Sequence, residues 1–252
     1  MPKKNEKNLV KHLKPRIRRV MQGPIDVTSS WRIFKIMGEF VSGFEFLRQY
    51  GLAATFFGTA RCLEKDKLYQ EAVKLSQALS RMGFAIITGG GPGIMAAANQ
   101  GAYEAKGSSV GINIQLPYEQ RVNKYVKESR AFHYFFTRKV MLAYASEVYI
   151  FFPGGFGTLD EFFEILTLIQ TKKICRIPVI LFDKGFWQPL INWIENRLYK
   201  ADKAIDKEDM NIYYLVDNAN EAINLVKKLI KKGKIVTEER PVEYSEDQKI
   251  QK

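Results

Sequence analysis

EVYIFFPGGFGTLDEFFEILTLIQT, residues 147–171, carries the reading that decides the fold. It divides into a strand over 147–155, apolar from Val148 to Phe152, and a helix over 158–171. Pro153 and three glycines, Gly154, Gly155 and Gly157, mark the passage from one to the other. A strand without polar alternation is buried on both faces, and a helix placed straight after it suits the crossover of a parallel sheet. Glycines let the backbone turn sharply and come close to a ligand. The following helix offers unpaired N–H groups and the positive end of its dipole, which together seat an anion such as phosphate. Glu161 stands one helical turn inside that seat, where a second negative charge is unexpected.

The same rhythm runs outward from this stretch. Residues 31–51 space Phe34, Met37, Phe40, Val41 and Phe44 as a helix does, stopping at Gly51. Strands are expected over 53–60, 84–91, 108–117, 177–183 and 210–216, each near-continuously apolar. Helices are expected over 65–83, 92–107, 131–145, 186–199 and 218–233. Strands and helices in this alternation predict an α/β fold, a doubly wound parallel sheet of Rossmann-like type. Helices cover both faces, and a helical extension precedes the sheet. Residues 1–27 read as a basic arm, 28–235 as a single Rossmann-like domain, and 236–252 as a polar tail. In such sheets ligands sit beyond the carboxyl ends of the strands, which is where the glycines fall.

With 252 residues, 46% of them hydrophobic, the chain can bury a full core. It has no apolar run of ~18 residues that would span a membrane, and its N-terminus lacks the apolar core of a secretory signal. Cys62 and Cys175 fit neither a disulfide framework nor zinc spacing, and a reducing cytoplasm suits them. The net charge is +12, of which residues 1–20 hold +7, leaving only +5 on the rest. An arm of this kind is more often a solvated extension than a nucleic-acid ligand. Nucleic acid is therefore not the expected partner, although an adaptor that binds RNA through the arm is kept as a lesser reading.

Three strands run into glycine turns: FFGTAR (56–61), with Gly58 and Thr59; TGGGPGIM (88–95), with Gly90 and Gly91; and PGGFGT (153–158). None is a Walker loop, because GxxxxGK[ST] is absent. Neither larger cluster satisfies GxGxxG, since Ile94 and Asp160 occupy the last required positions. A nicotinamide or flavin enzyme is not expected. His12 and His133 are too few and too scattered for a Ser-His-Asp triad or a histidine metal site.

Glu161 has two readings. Thr158-x-x-Glu161 matches a capping box, in which the Thr158 hydroxyl caps the helix and Glu161 reaches back. Alternatively Glu161 faces a ligand and stabilises positive charge on it. Phosphate and carboxylate share a pocket only if they address different parts of one molecule. A nucleoside monophosphate has such parts, because its C1′ becomes cationic as the base departs. Arg138 and Lys139 likewise either reach solvent at the rim of an aromatic helix or supply cations to the sheet edge.

The pair Arg138–Lys139 followed by PGGFGTLDE (153–161) resembles the signature of the Lonely Guy family. TGGGPGIMAAANQGA (88–102), LPYEQRVN (116–123) and LTLIQTKKI (166–174) resemble its longer-chain branch. The resemblance covers roughly residues 50–200. It implies a phosphoribohydrolase that splits the N-glycosidic bond of a nucleoside 5′-monophosphate, AMP or an N6-modified AMP, into free base and ribose 5-phosphate. It implies Arg138 and Glu161 as the catalytic pair. It implies nucleotide contacts at Lys139, Gly154, Gly155, Phe156, Gly157, Thr158, Leu159, Asp160, Thr167 and Glu119, with no metal or cofactor. Homo-oligomers, dimers or hexamers, are implied as well. Ala96 departs from the acid that many longer members carry after GIM. A non-catalytic nucleotide or cofactor carrier of the same fold is the alternative.

Overall fold

Central strands that must be buried on both faces set the architecture. In the computed structural model, which describes residues 29–115 and 122–235, every residue of β1 (Ala53–Phe57) and β5 (Val148–Phe151) is buried. The arm over 1–27, the tail over 236–252 and Glu119 lie outside the described residues. Two units are distinguished, Met1–Glu39 and Phe40–Lys252. In the first, the described residues open helix α1 (Ser29–Arg48), with Trp31, Ile33, Phe34 and Met37 exposed.

In the second unit the chain continues through β1, α2 (Lys67–Arg81), β2 (Ala85–Thr88), α3 (Ile94–Glu104) and β3 (Ser109–Ile114). It goes on through β4 (Glu128–Phe132), α4 (Phe135–Tyr144), β5, α5 (Phe156–Gln170), β6 (Val179–Phe182) and α6 (Lys184–Trp193). A π-helical segment Ile194–Ala201, β7 (Tyr213–Val216) and α7 (Ala219–Lys231) complete it. The seven strands form one sheet in the order β4-β3-β2-β1-β5-β6-β7, every pair parallel. None of the described helices is long and apolar enough to cross a membrane.

The alternation of side chains along each strand feeds two apolar layers. On one face Phe57, Ile87, Ile112, Tyr149, Phe151 and Leu181 pack with α4, α5, α6 and with Phe40, Phe44 and Leu47 of α1. On the other, Phe56, Ile86, Ile150, Phe152 and Ile180 pack with α2, α3 and α7. Phenylalanine rings stack across the central strands, Phe57 on Phe151 at 4.7 Å and Phe152 on Phe182 at 4.3 Å between centroids. Each fully buried ring is worth roughly 2–3 kcal/mol, enough to fix these strands at the centre.

Two departures from the sequence reading have physical causes. The helix expected from residue 131 begins at Phe135, because Ala131 and Phe132 end edge strand β4, paired with Asn113 and Ile114. That strand, ESRAF, is exposed at four of its five residues. Polar side chains on an unpaired edge discourage further strand addition, and they also hide the apolar rhythm. The second departure is the start of α5, at Phe156 rather than Thr158, with Gly155 as its N-cap.

Strand order also builds a crevice. β1 lies between β2 and β5, and the chain leaves β1 toward β2 but leaves β5 toward β6. Their carboxyl ends therefore diverge at a topological switch point. Backbone bonds fasten it: Phe152 N–H donates to Phe57 O, Thr59 N–H to Pro153 O at 2.9 Å, and Ile94 N–H to Thr59 O at 3.0 Å.

Candidate active site

The mouth of α5 is the natural starting point. No side chain caps this helix, and a Cβ on Gly155 or Gly157 would meet nothing within 4 Å. Gly154 is different, since a Cβ there would come within 2.1 Å of Thr158 Oγ1. Buried Thr158 therefore folds back beneath Gly154 from inside the helix. The capping-box reading fails, because Thr158 is the third helical residue and not the cap. Phe156 projects from the same turn with 93% of its surface exposed. Leu159 packs against the core, and its N–H is used by Gly155 O.

Glu161 is only 6% exposed, and among the described residues its Oε2 has no hydrogen-bond partner. Burial moves its pKa up to about 7, against the positive charge of Lys139 and, less strongly, of Arg138. Neighbouring Glu164 and Asp160 push in the same direction as burial. A buried carboxyl with a free acceptor is costly, and such groups gather at functional sites.

Lys139, on α4, holds these acids together. Its Nζ lies 2.5 Å from Asp160 Oδ2, 2.9 Å from Glu164 Oε2 and 3.8 Å from Glu161 Oε1. Burial lowers its pKa, but the three carboxylates outweigh that and hold it above the ordinary value. Its ammonium is thus occupied by α5. Lys139, Asp160 and Glu164 line an open groove of about 410 Å³ with Phe163, Thr167 and Leu168. The Thr167 hydroxyl donates back to Phe163 O at 2.7 Å.

Arg138, the preceding residue on α4, points elsewhere. Its Nε donates to Ile112 O of β3 at 2.8 Å. Burial lowers its pKa while Glu161 counters, so the pair share a field across the crevice. The glycine turn after β2 lies against it, where a Cβ on Gly89 would stand 2.4 Å from Nη2. Gly90 and Gly91 are instead buried in the turn's own network. Gly90 N–H donates to Thr88 Oγ1, and Asn123 donates from its backbone N–H to Gly90 O and from Nδ2 to Gly91 O. Gly58 is fixed by packing, since its Cβ would meet Ile94 at 2.9 Å. Thr59 links all three turns.

The sequence reading omitted Gly89, Asn113 and Glu164. Asn113 of β3 is 7% exposed and nests where a Cβ on Gly90 or Gly111 would stand. Among the described residues its Oδ1 has no hydrogen-bond partner. The polar residue in the apolar run VGINI was the available signal. Gly89 carried none beyond its place among three glycines.

Residues 95–226, just over half of the chain, match the family described as possible lysine decarboxylase. The chain belongs to that family. Among its relatives is a "probable cytokinin riboside 5′-monophosphate phosphoribohydrolase" of Oryza sativa subsp. japonica, 32% identical over 142 residues. That match covers 54% of this chain and 57% of the rice protein, little more than half of the relative's length. A cytokinin riboside 5′-monophosphate phosphoribohydrolase of Arabidopsis thaliana is 28% identical over 187 residues, covering 72% of this chain and 82% of its own. These names bear out the resemblance to the Lonely Guy family. Solved structures with the same fold include a molybdenum cofactor carrier protein of Chlamydomonas reinhardtii, with a TM-score of 0.55 at 22% identity over 71% of this chain and 98% of that one. A molybdenum cofactor binding protein of Rippkaea orientalis has a TM-score of 0.53 at 24% identity, covering 71% and 96%.

Proposed function

We propose that this chain hydrolyses the N-glycosidic bond of a nucleoside 5′-monophosphate, AMP or an N6-modified AMP. The products are the free base and ribose 5-phosphate. The observation that carries the reading is Glu161, a buried carboxyl with an unused acceptor behind the open mouth of α5 and within the field of Arg138. The names of the relatives favour the same substrate class.

In this mechanism the phosphate rests against the uncapped start of α5, where the helix dipole favours it. The ribose then lies toward Glu161 and Arg138. As the bond to the base lengthens, positive charge grows at C1′, and the Glu161 carboxylate stabilises it or takes a proton from the attacking water. Water supplies the oxygen that bonds to C1′, and the base leaves with the bonding electrons and gains a proton. Arg138 orients the substrate through the guanidinium nitrogens that Ile112 O leaves unused. Lys139 serves the site indirectly, by holding the α5 carboxylates. The assembly is a homo-oligomer in the cytoplasm, a setting that suits the free thiols of Cys62 and Cys175.

The test uses Glu161→Gln. Wild-type protein incubated with a panel of nucleoside monophosphates should release base, most rapidly from AMP or an N6-modified AMP. The variant should release none while binding the nucleotide with similar affinity. Base release by Glu161→Gln at the wild-type rate removes the assignment. Binding without release by the wild-type protein would make it a carrier.

A further inference from the structure

Arg138 reaches the crevice from α4, and a guanidinium on a long flexible stem needs a fixed support to hold one direction. The Ile112 carbonyl holds Nε at 2.8 Å. The turn after β2 limits the other end. A Cβ built on Gly89 lies 2.4 Å from Arg138 Nη2, nearer than two such atoms can stand, with Met95 Sδ next at 2.9 Å. Gly89 is not among the glycines with positive φ. Its backbone would accept any residue, so space alone demands glycine here.

We propose that Gly89 is a positioning residue for Arg138: its bare Cα forms the surface against which the guanidinium rests. A methyl group at 89 would displace Nη2 while leaving α4, the sheet and the turn in place. This rests on the reading of Arg138 as the group that orients a nucleotide. The terminal nitrogens then keep one direction toward substrate, which a one-ångström shift would spoil at a cost of roughly a hundredfold in rate.

The experiment is a double-mutant cycle with an independent spectroscopic reading. Gly89→Ala, Arg138→Ala and the double variant are compared for base release from AMP, and the thermal midpoint of each is recorded. Gly89→Ala should lower kcat/KM by roughly a hundredfold with little change in midpoint. Added to Arg138→Ala, it should change the remaining rate less than about threefold. The same factor in both backgrounds overturns the proposal. In parallel, the Arg138 Nε–H resonance, assigned by its loss in Arg138→Ala, should shift and exchange faster in Gly89→Ala. An unmoved resonance also overturns the proposal. If Arg138→Ala keeps full activity but Gly89→Ala still moves the resonance, positioning stands and the functional reading of Arg138 falls. Should Gly89→Ala fold poorly, Met95→Ala is added to relieve the second contact, and the same two readings apply.

Discussion

Glu161 shows how one side chain can tie burial to pH. Its pKa rises from the ordinary 4.5 to about 7 because burial penalises the charged form, and Lys139 is the main opposing influence. If the carboxylate is the working form, kcat/KM should fall on the acid side through an apparent pKa near 7. Lys139→Met removes the largest stabilising charge, so that limb should move to higher pH. Superimposable pH–rate profiles for the two proteins would contradict the assignment. Stability follows the same titration with a definite sign. A carboxyl whose folded pKa is raised favours the fold below the unfolded value near 4.5, and that advantage is lost as pH rises through 7. Compared with Glu161→Gln, the native protein should lose on the order of 3 kcal/mol of stability between pH 4 and pH 8. Urea titrations of both at several pH values measure it. Arg138 and Glu161 were singled out by their places around the glycine turn and by the family resemblance, and the fold brings them within one another's field. The occupation of Lys139 by Asp160 and Glu164 was not, because it depends on α4 lying beside α5. The capping box misled for another reason. Thr-x-x-Glu looks the same whether Thr is the cap or already inside, and Gly157, a poor helix former, masked a helix that starts at Phe156.

Between elements, α2 and α3 approach closely at a glycine. A Cβ on Gly101 would fall 2.1 Å from Ser76 Oγ and 2.3 Å from Val73 O. Glycine there lets the helices meet, with Ala97, Ala98 and Ala102 buried alongside. The alanine-rich face of 92–107 announced this close packing in the sequence. Gly101→Ala should cost about 2–3 kcal/mol through overpacking, read as a lower urea midpoint. An unchanged midpoint would mean that the helices separate freely. Elements that obey one strong period, such as β1, β5 and α2, were placed within a few residues. Edge strand β4 escaped because its pairing with β3 is a long-range contact that local propensity does not encode.

Across the whole molecule, the parallel sheet and its two helical layers followed from the strand–helix alternation, whereas the strand order and any self-association depend on contacts that only the folded chain displays. Phe135, Phe136, Val140 and Tyr144 of α4 and Phe163 of α5 are each 39–63% exposed. Apolar surface gathered on adjacent helices marks an interaction face, and we propose it as the contact face of the homo-oligomer put forward above. Phe136→Glu with Val140→Glu should reduce the mass seen by light scattering to that of a single 29.0 kDa chain. Retention of the native mass would place the interface elsewhere. The seam between β1 and β5 has a consequence for biosynthesis. Its pairs, such as Thr55 with Tyr149, join residues that a ribosome delivers far apart in time. Strands β1 to β4 can associate while the rest of the chain is still being made, but one flank of β1 stays bare until β5 emerges. During that interval Phe56 and Phe57 add to exposed apolar surface that favours aggregation, and a nucleotide bound as proposed above gives no support until the turn after β5 has been translated.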